Sequence, residues 1–108
     1  MTPFRIPALA AAALLSMAGA ASAAEHVVVQ KGKAFSANKL SVKLGDSVKF
    51  VNEDPFTHNI FSLSDAKSFD LGSYGQGLAK SITLDKAGTV EVECAVHPDM
   101  KILIEVAK

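Results

Sequence analysis

The sequence predicts an all-β fold, a Greek-key β-sandwich of about seven strands. After residue 24, apolar and polar side chains alternate with the period of two that is typical of half-buried strands. Glycine, aspartate, asparagine and proline interrupt this alternation at short intervals, as turns do between strands. Because no stretch after residue 24 shows a convincing helical period, short strands shared between two sheets are the architecture that this pattern favours.

The predicted strands lie at residues 27–30, 40–44, 48–50, 59–63, 82–84, 90–94 and 102–106, and the alternation is clear in all of them except the first and the fourth. Gly45-Asp46 and the run from Asn52 to Pro55 are the strongest turn signals between the early strands. Residues 64–77 are the least regular part and contain three glycines. We therefore expect them to form a long connection that holds one short strand.

The first 23 residues are predicted to be a cleaved secretory signal peptide, which leaves a mature domain at residues 24–108. Arg5 precedes a run rich in alanine and leucine, and Ala21-Ser22-Ala23 matches a small-residue cleavage site. An uncleaved membrane anchor is the alternative, because residues 6–24 are almost long enough to span a bilayer. The weak hydrophobicity of alanine favours cleavage, and hence a periplasmic protein without stable membrane insertion.

The composition of the mature chain narrows the classes of partner. The mature chain has ten lysines and eleven carboxylates, which give a formal charge of about −1. This balance gives no sign of the basic stripe that nucleic-acid binding needs. The length allows one small domain, which we expect to be a monomer. Cys94 is the single cysteine, and a lone thiol in an oxidising compartment needs an explanation.

Cys94 ends a predicted strand, and His97 and Met100 follow it at intervals of three residues. Val90 and Val92 share the phase of Cys94, so the thiol is predicted to point into the sandwich. The residues that follow form a compact loop before the last strand. Such a loop can aim all three side chains at one point.

His58 is the candidate for a fourth ligand, since it begins a strand that a sandwich can place beside the strand of Cys94. Zinc seldom takes methionine, whereas two imidazoles, a thiolate and a weak axial thioether suit copper. Taken singly, a buried cysteine is usually a small hydrophobe, a methionine is usually core and a histidine near a turn is usually solvated. The joint spacing favours one ion cycling between Cu(I) and Cu(II), with His58, Cys94, His97 and Met100 as ligands.

With these residues in place, the chain resembles the cupredoxins, the small blue-copper proteins, and most closely their amicyanin-like and plastocyanin-like members. The resemblance covers most of the mature chain, including residues 40–46, Asn52, His58-Asn59, Gly88 and the segment 94–100. The two residues between His97 and Met100 are similar to the short amicyanin loop.

The resemblance implies a one-electron carrier that is not an enzyme, with the same four copper ligands. It implies that His97 reaches the surface in an apolar patch, beside Pro98, Pro55 and Phe56, where a redox protein partner docks. Asn59 would tie the two ligand segments together. Pro98 has no N–H to donate toward the thiolate, and it stiffens the loop.

His26 stays outside this set. If cleavage falls after Ala23, the amine, two amides and imidazole of Ala24-Glu25-His26 could hold Cu(II) or Ni(II) in a square plane; the alternative is that His26 is an exposed strand residue.

Competing functions are a copper chaperone, a multicopper enzyme and a copper-free sandwich. One methionine after cleavage disfavours a chaperone, and three histidines disfavour a multicopper enzyme.

Overall fold

The computed structural model describes residues 23–108, which form two β-sheets. The strands in chain order are β1 (Glu25–Gln30), β2 (Lys39–Lys43), β3 (Ser47–Asn52), β4 (His58–Ser64), β5 (Lys67–Tyr74), β6 (Ala79–Thr83), β7 (Gly88–Cys94) and β8 (His97–Ala107). One sheet has the order β1-β3-β6 and the other β2-β8-β7-β4-β5. No helix is assigned between residues 23 and 108. The all-β sandwich is confirmed, with eight strands where about seven were predicted.

The hydrophobic core lies between the sheets, and both sheets contribute to it. Val48 and Phe50 of β3 are fully buried, as are Val90 and Val92 of β7, while the residues between them are partly exposed. The period of two in the sequence therefore selects the inward face of each strand. Burying these apolar side chains is the main stabilising contribution to the fold.

The strand order makes neighbours of segments that are distant in sequence. β1 pairs in parallel with β3, and β2 pairs in parallel with β8, whereas the remaining strand pairs are antiparallel. In the larger sheet β4 lies beside β7, with Ile60 opposite Cys94. This pairing brings the first residues of β4 to the end of β7, which is where the predicted ligands were expected to meet.

Residues 64–77 hold a longer strand than the one short strand that was predicted inside a long connection. They contain β5, an eight-residue strand antiparallel to β4, with a register shift between Asn59 and Phe61. β5 is an edge strand, and only Tyr74 among its residues is buried. An edge strand that buries so little needs no regular alternation, so the sequence pattern that reveals the other strands is weak here.

The last strand begins earlier than predicted. β8 starts at His97, and Cys94 pairs with His97 across a turn formed by Ala95 and Val96. The loop expected between Cys94 and Met100 is thus a two-residue turn followed by a strand. The buried residues of β8 keep one phase from its start to its end, namely Met100, Ile102, Ile104 and Val106.

The predicted signal peptide, residues 1–23, lies outside the described residues except for Ala23. Within residues 23–108 there is no helix long and apolar enough to cross a bilayer.

Candidate metal centre

Three side chains with metal-binding atoms converge at one end of the sandwich. The candidate ligand atoms of His58, Cys94 and His97 all lie within 4.8 Å of one another. The Cys94 Sγ is 3.5 Å from His58 Nδ1 and 3.7 Å from His97 Nδ1. His58 and Cys94 are buried, whereas His97 is half-buried. Two imidazole nitrogens and a thiol in this arrangement fit a copper ion, for which soft sulfur and imidazole ligands are well suited.

The two ligand-bearing segments are held together by the backbone of Asn59. The Asn59 N–H donates to Cys94 Sγ at 3.5 Å, and the Ala95 N–H donates to the Asn59 carbonyl at 2.9 Å. The Asn59 side chain turns elsewhere and donates to Ser73 Oγ at 3.3 Å. The contacts that join the segments therefore come from the main chain of Asn59, not from its amide group.

Met100 and Pro98 lie on β8, next to the cluster in sequence. Met100 is 2% exposed and belongs to the same core cluster as Cys94, whereas Pro98 is exposed beside His97. The thioether is thus excluded from water, as an axial ligand would be. Its role as a ligand stays a prediction.

Behind His58 lies Asp54, whose place in the sequence indicated only a turn. His58 Nε2 donates to Asp54 Oδ2 at 2.7 Å, and the same carboxylate accepts the Gly32 N–H at 2.7 Å and the Lys33 N–H at 3.1 Å. With its proton on Nε2, the ring leaves Nδ1 as the free donor atom facing Cys94. The carboxylate therefore both orients the ring and selects its tautomer.

The charge of Asp54 is maintained although the residue is only 4% exposed. Burial is the largest single influence and raises the pKa of Asp54, but the hydrogen bonds from His58, Gly32 and Lys33 together outweigh it and lower that pKa below its usual value. An ionised carboxylate against the imidazole makes the ring a better electron donor to a metal.

Asn52 fixes the turn that carries Asp54. Its Oδ1 accepts the Asp54 N–H at 2.8 Å, and its Nδ2 donates to the carbonyls of Phe56 and Tyr74 at 2.9 Å each. Asn52 is fully buried, so these bonds also satisfy its amide away from water. The turn signal in the sequence thus marks a rigid support for His58.

An aromatic and apolar surface covers the cluster. The ring of Phe56 is 5.4 Å from the rings of both His58 and His97, centroid to centroid, and Phe56 and Val96 are 36% and 56% exposed. A shallow cavity of about 220 Å³ opens beside them, lined by Lys33, Val96, His97, Pro98 and Asp99. His97 is therefore the candidate ligand nearest to solvent.

His26 does not join the centre. Its Nε2 lies 2.9 Å from Asp46 Oδ2, and the Ala24 nitrogen donates to Asp46 Oδ1 at 2.9 Å. Glu25 and His26, whose amides a square-planar complex would use, belong to β1 and are paired with β3. The square-planar site stays a prediction, and it would have to compete with these contacts.

The family model described as copper-binding proteins of the plastocyanin/azurin family matches residues 23–107. Among curated proteins, the chain is 32% identical over 69 residues to the methylamine utilization protein MauL of Methylorubrum extorquens. This match covers 63% of the chain and 60% of the relative, so the chain spans less than two thirds of that protein's length.

Three solved structures share the fold. A Cu(I) amicyanin variant superimposes with a TM-score of 0.70 at 26% identity, covering 82% of this chain and 87% of its own. A copper-containing nitrite reductase from Thermus scotoductus gives 0.72 at 28% identity over 78% of this chain, but only 22% of the reductase. A purple cupredoxin from Nitrosopumilus maritimus, at 20% identity, gives 0.67 over 76% of this chain and 99% of its own, and supports the fold alone.

The family match covers almost the whole described chain, and the converging histidines and cysteine are those that copper requires. The predicted family and cofactor are thereby confirmed: this chain belongs to the plastocyanin/azurin family of copper-binding proteins, a cupredoxin with one copper ion as its cofactor.

Proposed function

We propose that this protein is a one-electron carrier between redox proteins, with its copper held by His58, Cys94, His97 and Met100. The observation that carries the proposal is the convergence of the His58, Cys94 and His97 ligand atoms within 4.8 Å at one end of the sandwich. Copper supplies a Cu(I)/Cu(II) couple, and a His₂Cys set with a weak axial methionine is the ligand set of electron-transfer centres.

Contacts within the chain hold His58 and Cys94 in position. Asp54 holds the buried His58 ring, and the Asn59 N–H reaches the sulfur of Cys94. Pro98 has no N–H, so it adds no further donor toward that sulfur. Ligands that are already positioned and hydrogen-bonded have little to rearrange when an electron arrives or leaves, which favours fast transfer.

Electrons would enter and leave through His97. It is the half-buried member of the cluster, and Phe56 and Val96 give its surroundings an exposed apolar character. Exposed apolar patches of this kind are where protein partners dock. Lys33 and Asp99 at the rim of the cavity place one charge of each sign beside the patch.

The cellular setting follows from the sequence features. A cleaved leader at residues 1–23 would deliver the protein to the periplasm, as a monomer without membrane insertion.

A multicopper enzyme needs additional histidine ligands, and the sequence holds one histidine besides His58 and His97. These features favour a carrier over an enzyme.

The absorption spectrum of the Cu(II) protein tests the centre. We expect an intense visible band from charge transfer between the Cys94 thiolate and copper, and loss of this band in Cys94→Ser. Met100→Leu is the matched variant, and it should keep the band while shifting the reduction potential. A colourless Cu(II) complex, or a serine variant that keeps the colour, would refute the assignment.

Electron self-exchange between the Cu(I) and Cu(II) forms tests the docking surface without a known partner. Val96→Asp puts a like charge into both halves of the encounter complex and should slow self-exchange at least about tenfold. Leu63→Asp is the control, because Leu63 is 79% exposed on β4 but lies outside the residues around His97. Equal slowing in the two variants would contradict a docking surface at His97.

A further inference from the structure

A second buried carboxylate, Asp46, lies in the turn before β3 and holds the start of β1. Its Oδ1 accepts a hydrogen bond from the backbone nitrogen of Ala24 at 2.9 Å. Its Oδ2 accepts hydrogen bonds from His26 Nε2 at 2.9 Å and from the Lys43 N–H at 3.0 Å. Asp46 is 6% exposed. Three donors converge on one carboxylate, and two of them come from the first three residues of the predicted mature chain.

The Ala24 nitrogen is also the atom that the predicted cleavage would change. Hydrolysis of the Ala23–Ala24 peptide bond consumes water, leaves a carboxylate on Ala23 and turns this nitrogen from a neutral amide into an α-amine, which is protonated at neutral pH. A charged donor on a carboxylate makes a shorter and stronger hydrogen bond than an amide does.

We propose that the α-ammonium group of Ala24, released by cleavage after Ala23, docks on Asp46 and fastens β1 to the sandwich in the mature protein. Removal of the leader then stabilises the fold at the moment of export. This inference concerns maturation and goes beyond the proposed electron-carrier function.

The position of this contact explains why it matters for the fold. β1 is an edge strand of the three-stranded sheet, and among the described strands β3 is its one neighbour. The Ser47 N–H donates to the Ala24 carbonyl at 3.0 Å, so the same residue is held on both its nitrogen and its oxygen. Strand ends fray unless they are tied down, and Asp46 supplies the tie.

The exported wild-type protein is the starting point of the test. Mass spectrometry should show Ala24 as its first residue, and any other first residue overturns the proposal. A second exported protein carries Gly-Ser inserted between Ala23 and Ala24, which moves the amine away but keeps the Ala24 amide as a donor. Both forms are then combined with Asp46→Asn.

We expect the insertion to raise the unfolding equilibrium constant roughly tenfold when Asp46 is present, because a charged hydrogen bond is replaced by a neutral one. With Asp46→Asn the insertion should have little effect. An insertion that costs nothing, or costs the same in both backgrounds, overturns the proposal. The copper absorption band should be equal in all four proteins, so a failure here is distinguishable from a failure of the electron-carrier proposal.

A measurement on the native chain keeps the test decisive if Asp46→Asn does not fold. The pKa of the Ala24 α-amine, followed by NMR together with the His26 ring on the same carboxylate, should lie above the ordinary value of about 7.7–8.0. It should fall back to that value in the insertion protein. An ordinary pKa in the native chain overturns the proposal.

Discussion

Asp54 at the metal end and Asp46 at the opposite end of β1 make the same set of contacts. Each carboxylate is almost fully buried, and each accepts two backbone nitrogens and one imidazole Nε2. The histidines differ, however. The His58 side chain is fully buried and its Nδ1 faces Cys94, whereas the His26 side chain is 26% exposed. The Asp46–His26 pair thus only stabilises the fold. The Asp54–His58 pair belongs to the metal centre, because β7 places the thiol of Cys94 beside His58.

Replacing each of the two histidines in turn gives the clearest distinction between the metal end and the Asp46 end. His58→Gln should abolish the intense visible band of the Cu(II) protein, because it removes a ligand beside the thiolate. His26→Gln should leave the band intact, since His26 contacts Asp46 and not the cluster. Absorption spectra of the two variants check this prediction, and loss of colour in His26→Gln would break the comparison.

Removing the carboxylate of the metal end should cost substantial stability even without copper. Asp54→Ala leaves the His58 Nε2–H and the N–H groups of Gly32 and Lys33 without a partner, and should lower the free energy of unfolding by about 3 kcal/mol. Urea unfolding of the copper-free protein measures this value. Asp65→Ala is the control, because Asp65 is exposed and should change stability by less than about 0.5 kcal/mol. Equal losses of unfolding free energy in the two variants would contradict a stabilising role for the hydrogen bonds of Asp54.

Acid should weaken the opposite end. Hydrogen bonds from the Ala24 backbone, His26 and the Lys43 backbone lower the pKa of Asp46 to about 2. A lowered carboxylate pKa stabilises the fold above the unfolded value of about 4, and this contribution is lost as the pH falls toward 2. Denaturant midpoints measured between pH 5 and 2 should therefore fall less steeply in Asp46→Asn than in the wild type. Identical slopes would rule out a contribution from this carboxylate.

The smallest expected effect concerns the turn at the metal end. Lys33 has a φ of 60°, a left-handed conformation that costs a non-glycine residue energy, whereas the turn before Asp46 uses Gly45 at 96°. Lys33→Gly should raise the free energy of unfolding by about 1 kcal/mol. Thermal unfolding checks the sign. Lys31→Gly serves as the control. Lys31 has no positive φ, so this substitution should destabilise the protein.

Features that depend on residues close together in the chain were predictable from the sequence, whereas features that depend on contacts between distant segments were not. The alternation in β3 and β7 predicted which side chains enter the core, and the spacing of Cys94, His97 and Met100 predicted where a metal centre lies. β5 was predicted only as one short strand inside a long connection, because an edge strand that buries little shows weak alternation. Asp54 was missed because a buried carboxylate and an exposed turn aspartate look alike in a sequence; its place four residues before His58 was the available signal.

By itself the sequence determined the class of fold, the copper chemistry and the segment that carries Cys94 and His97, because these follow from periodicity and from side-chain types close together in the chain. Only the tertiary structure decided that β4 lies against β7, that Asp54 holds His58, and that Asp46 holds His26. These contacts depend on which strands become neighbours, and strand order is set by the packing of the whole sandwich rather than by any one segment.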